Sequence, residues 1–125
     1  MGRNSDNQGF LVGFRAPSSR VLYASWANLA GQVTGLTSKD NVWYHVVSTY
    51  NKALHSFYIN GVLQGSTPFT TSSFPAGEQV YFGMIDNDEN GIVNEFPFSG
   101  SLDDVRIYNR VLSAAEIQQL YNMGR

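Results

Sequence analysis

The chain has 125 residues, 42% of them apolar and 14% charged, with a net charge of −2 and no cysteine. This suits one folded domain and excludes a disordered chain. The absence of any basic cluster excludes a nucleic-acid partner, and the absence of cysteine excludes disulfide scaffolds, thiol catalysis and Cys-type zinc sites. No apolar run approaches the roughly 20 residues of a membrane helix, so no membrane insertion is expected.

Residues 1–9 are polar, too polar for a secretion signal, and are expected as a flexible N-terminal segment; residues 10–125 are expected as the domain. Phe10–Phe14 and Val21–Trp26 are short apolar runs bounded by Gly, Pro and Ser, and read as strands; Gln32–Leu36 is a weaker third. Val42–Tyr50, dense in β-branched and aromatic residues, is a strong fourth. Ser56–Gly65 holds Asn60-Gly61 between two apolar segments. This pair tolerates the positive φ angles of a type I′ turn and predicts a hairpin. Residues 66–78, rich in Ser, Thr, Pro and Gly, form a connection, and Gln79–Met84 is another strand. Residues 86–95 form an acidic loop. Phe96 to Tyr108 returns as one or two strands with a bend at Ser99–Ser101, making eight or nine strands in all.

Helical periodicity occurs once. Ser113 and Glu116 stand at the spacing of a capping box, in which each side chain satisfies the other's backbone amide. Ile117, Leu120 and Tyr121 then share a face that can pack on a sheet, and Gly124 can cap the C-terminus. The pattern is an all-β, antiparallel β-sandwich with one short C-terminal α-helix.

Three stretches carry a resemblance: Trp43-Tyr-His-Val-Val-Ser-Thr-Tyr50, Phe57-Tyr-Ile-Asn-Gly-Val62, and Phe98 to Tyr121 with its Ser-Leu-Asp-Asp-Val-Arg-Ile-Tyr core. Together they resemble, in order, the strand, hairpin and closing strand–helix of the laminin G-like, concanavalin A-like jelly rolls, a lectin/glucanase superfamily that includes the pentraxins. The resemblance spans about Leu22 to Tyr121 and implies a binding fold, extracellular or cell-surface. It also implies opening strands that would lie before residue 10. A sheet without them exposes unpaired backbone and an apolar face, so pairing between copies into a homodimer, by sheet edge or face, is an expectation.

Four of the ten carboxylates lie within residues 86–95, and no Lys or Arg occurs between Lys52 and Arg106. Asp86, Asp88 and Asn90 alternate before Gly91, as at the start of many calcium loops, where oxygen side chains converge and glycine makes the turn. Pro97 stands where an EF-hand would need glutamate. A β-sheet calcium site of Asp86, Asp88, Asn90 and Glu95 is one reading, and in the pentraxin-like relatives the corresponding loop holds calcium. A solvated loop is the simpler alternative.

Asp103 and Asp104 are expected to be held by backbone amides or by Arg106, and His45 and His55 to be structural, with no triad or metal spacing around them. Retaining glycosidases need carboxylates about 5–5.5 Å apart. The Glu-x-Asp-x-x-Glu strand motif of the fold's glucanases does not occur, so the chain is expected not to be an enzyme. Trp43, Phe57, Tyr81, Phe82 and Tyr108 are assigned to the core. Trp26, Asn28, Phe74, Asp88 and Glu89 are the candidate ligand-binding residues, since aromatic faces stack on sugars while nearby amides and acids bond hydroxyls. The expected function is a non-catalytic module for a glycan or a protein surface, with calcium as a candidate cofactor. The alternative is a structural domain that assembles through a sheet.

Overall fold

The computed structural model describes residues 10–15, 20–26, 33–70, 82–83 and 97–124, with the backbone alone at 14, 15, 23, 25 and 26. Six strands and one helix lie among them: β1 (Phe10–Arg15), β2 (Val21–Trp26), β3 (Val33–Thr37), β4 (Val46–Tyr50), β5 (Leu54–Ile59), β6 (Val62–Pro68) and α1 (Ala114–Met123). They form two three-stranded sheets, β1-β2-β3 and β4-β5-β6, each antiparallel throughout. The second sheet lies against the first mainly through β3, which packs on β5 and β6.

Turn chemistry sets the registers. Asn60 and Gly61 take φ of 52° and 78°, the positive values a two-residue I′ turn requires, and they pair Ile59 with Val62. Between β4 and β5, Asn51 Oδ1 accepts from the amides of Ala53 (3.0 Å) and Leu54 (2.7 Å), closing a side-chain turn. Register shifts at Val21/Tyr23 and Phe57/Tyr58 bend the ladders.

The core lies between the sheets. Leu22, Ala24 and Val33 of the first sheet meet Phe57 and Ile59 of the second, with Phe10, Val12, Leu36 and Tyr44 packed around them. His55 is fully buried beside them, its ring edge-on to Phe10 and its Nε2 2.8 Å from Ser48 Oγ. On the opposite face of β5, the paired Ser56 and Ser66 hydroxyls bond to each other at 2.7 Å.

Five expectations need correction. The fourth strand begins at Val46, and residues 42–45 lie outside the ladder. Trp43 is 66% exposed, while its neighbour Tyr44 packs on the core and accepts a hydrogen bond from the Lys39 amide at 2.9 Å. Strand alternation allows only one of two adjacent residues to face inward, so choosing Tyr44 turns Trp43 outward. Residues 97–108 form no strand. They have no ladder with any described strand, and Asp104 takes φ 51°, which breaks an extended run. Tyr108 (42% exposed) is therefore not a core residue, nor is Phe82 (51%), which sits at a bend beside Gly83. Tyr81 and the rest of the strand expected at 79–84 lie outside the described residues. Phe57 is buried as expected.

Candidate functional site

Helix α1 meets the second sheet at the β5–β6 turn and at His45, just before β4. Cross-strand partners share a face: Val46 pairs with the inward Ile59 and Ser48 with the inward Phe57, so His45 points outward. Its ring lies 6.0 Å from that of Tyr121 on α1, tilted by 32°. Asn60 extends the ladder by one step. Its amide donates to the His45 carbonyl (2.8 Å) and its Oδ1 accepts from the His45 amide (3.0 Å). Gln118 lies over the hairpin, with its amide group 2.7–2.9 Å from where a Gly61 Cβ would stand. Buried Ile117 and Leu112 anchor the helix.

The helix start is firmly built. Glu116 Oε2 accepts from the Ser113 amide (2.8 Å) and hydroxyl (2.9 Å), and the Glu116 amide donates back to Ser113 Oγ (3.3 Å). Arg110 reaches both carboxylate oxygens, at 2.6 and 3.1 Å. The Arg110 guanidinium first, then the Ser113 donors, bring the Glu116 carboxyl down from 4.5 to about 2. The Gly124 amide closes the other end on the Leu120 carbonyl at 3.3 Å.

This construction leaves a shallow groove of about 210 Å³ beside α1. Tyr108 supplies an aromatic wall, Arg110, Glu116 and Gln119 supply polar groups, and Leu112 and Leu120 are apolar members of the lining. Arg110 is pinned to Glu116, so the planar donors are set before any ligand arrives. Next to the groove, Arg106 is held further up than usual by the Tyr108 side chain first and Asp104 second. His45 is lowered from 6.5 by burial first and the Arg106 charge second, and its Nδ1 is buried with no hydrogen-bond partner.

Asp103 and Asp104 match one part of their expectation. Asp103 Oδ1 accepts from the Asp104 amide at 2.8 Å, and Asp104 pairs with Arg106 at 3.3 Å; both residues are exposed. Asn60 and Gly61 make the β5–β6 turn, and Ser113 and Glu116 make the capping box of α1. The expected calcium ligands Asp86, Asp88, Asn90 and Glu95, the candidate ligand residues Asn28, Phe74 and Glu89, and the Trp26 side chain lie outside the described residues. Among the described residues no group of three or more His, Cys, Asp or Glu is placed to hold a metal ion. Among them, too, no helix is long and apolar enough to cross a membrane. Sequence reading missed the α1 groove. The usable signal was the helix's own spacing, since Glu116, Gln119, Leu120 and Met123 recur at three and four residues.

A family model of the laminin G type, described as the concanavalin A-like lectin/glucanases superfamily, matches residues 1–118. No match is found among curated proteins. Among solved structures, the chain is similar to an S-layer domain-containing protein from Clostridium thermocellum at 22% identity and a TM-score of 0.56, over 94% of this chain. The chain spans 65% of that structure's length. At that identity the likeness shows the fold alone.

Proposed function

Because this chain belongs to the concanavalin A-like lectin/glucanases superfamily, we propose that it is a non-catalytic binding module for carbohydrate, working at the cell surface or outside the cell. The observation that carries the reading is the α1 groove, where the Tyr108 ring stands beside the fixed Arg110–Glu116 pair and Gln119. An aromatic face stacks on the C–H surface of a sugar ring, and planar guanidinium, carboxylate and amide groups bond its hydroxyls. The groove is smaller than the usual drug-sized pocket and suits one sugar unit of a longer glycan. In this reading the acidic loop, through Asp86, Asp88, Asn90 and Glu95, supplies calcium that assists the ligand. Trp26, Asn28, Phe74, Asp88 and Glu89 extend the contact or form a second one.

A glycan array run with calcium and with chelator tests the reading, followed by calorimetry on the best ligand. Tyr108→Ala is expected to weaken binding by about tenfold or more, the worth of a lost stacking contact. Asp88→Asn is expected to remove the calcium dependence. An array without hits under both conditions sinks the proposal, and binding indifferent to Tyr108 moves it to the loops.

A further inference from the structure

Residues 101–108 present apolar side chains to solvent. Leu102, Val105 and Ile107 are 54%, 54% and 73% exposed, and among the described residues no backbone hydrogen bond joins this segment to another. Both of its ends are fixed: the Phe98 amide donates to the Gly83 carbonyl at 2.8 Å, and Leu112 and Ile117 are buried. A β-branched, apolar stretch held between two anchors, its amides and carbonyls bonded to no other described segment, is a template for another strand.

We propose that residues 102–108 pair antiparallel with the same residues of a second copy of this chain, about a two-fold axis through Val105. The sequence is self-complementary in that register and direction. Leu102 falls opposite Tyr108, Asp104 opposite Arg106, and Val105 opposite itself; Asp103 and Ile107 make the remaining pair. A two-fold interface produces each unlike contact twice, so two Asp–Arg pairs flank the axis. Asp104 now meets its own Arg106 at 3.3 Å with a positive φ. Joining a ladder returns Asp104 to extended backbone and exchanges that bond for one across the interface. The β6 edge is a poorer template: it carries Gly65 and ends on Pro68, both of which weaken pairing. Of the groove residues Tyr108 lies in the ladder, while Arg110, Glu116 and Gln119 lie outside it. The pairing does not rest on the carbohydrate reading and is tested with no sugar present.

The absence of native cysteine makes the register readable. Val105→Cys is expected to cross-link as a disulfide dimer about tenfold or more faster than Leu102→Cys or Ile107→Cys, since only position 105 faces itself. In sedimentation over rising concentration, the unmodified chain is expected to dimerise. Asp104→Arg and Arg106→Asp, each confirmed folded by circular dichroism, are expected to stay monomeric alone and to form a heterodimer when mixed, because the mixture restores opposite charges at both contacts. Three results would overturn the proposal: a monomer at the highest concentration, equal cross-linking at all three cysteine positions, or dimers that ignore the charge reversals. The last would place the contact on another surface, and a monomer would mean that something other than a second copy covers the segment.

Discussion

Gly35 decides how closely the two sheets approach. A Cβ built there would stand 2.5 Å from Ile59 Cδ1, 3.0 Å from Phe57 Cε1 and 3.1 Å from the Leu22 carbonyl oxygen. Two of these neighbours are core side chains with under 2% exposure, and the third is backbone, so none can give way cheaply. Overpacking of this kind costs about 1–3 kcal/mol, and the stiffer unfolded chain of alanine returns only about 0.4–1. Gly35→Ala is therefore expected to lower stability by about 2 kcal/mol, read as a fall in the urea midpoint at constant slope. Gly65→Ala is the control. Its Cβ would meet a single Val33 methyl at 3.1 Å, which can shift by a few tenths of an ångström, so the loss is smaller. Equal losses at both positions would mean that the glycines are needed for backbone conformation and not for space.

At the scale of elements, the docking of α1 is the most pH-sensitive feature described. Two groups set separate windows. His45 is pushed below 6.5 in the folded chain by its burial and by Arg106, and Tyr121 packs on its ring. The unfolded chain therefore takes up this proton first, and stability falls as pH drops from about 6.5 toward the folded value. Glu116 is held near 2 against an ordinary 4.5, so its contribution is present above about 4.5 and is lost as pH falls toward 2. Thermal melting from pH 8 to 2 is expected to show two declines. His45→Phe, which keeps a ring against Tyr121, should weaken the upper one. Glu116→Gln should start lower at pH 7 and meet the parent curve near pH 2. Ser113→Ala, which removes the cap, is expected to cost about 1 kcal/mol. The cap and the Asn60-Gly61 turn were legible in the sequence because each is decided within four residues, by side chains that serve their own backbone. The groove beside α1 was less legible, because Tyr108 and Arg110 reach it only through the path of an irregular segment.

For the molecule as a whole, what a short sequence window shows and what it hides follows from range. Strands β1, β2 and β3 fall within a residue or two of their expected places, since alternation and flanking turn residues fix them locally. Trp43 and Tyr44 differ by a single step of alternation, and only the ladder from Val46 onward decides which one turns inward. The Phe98–Tyr108 run has strand composition, but a strand exists only against a neighbour, and among the described residues it has none. The core is therefore concentrated where β2, β3 and β5 face each other, while a large aromatic residue stands outside it. This division has a direct consequence. Phe57→Ala, at 0% exposure, is expected to cost about 3–5 kcal/mol, a large part of the 5–15 kcal/mol typical of a domain. Trp43→Ala, at 66% exposure, is expected to change stability by no more than about 0.5 kcal/mol. Both are read from urea unfolding of dilute protein. Tryptophan fluorescence checks the same point without relying on stability, because Trp43 should emit at the long wavelength of a water-exposed indole, isolated by comparison with Trp43→Phe. A large loss on Trp43→Ala, or a blue-shifted Trp43, would mean that this ring is buried in solution and that the hydrophobic core reaches beyond the two facing sheets.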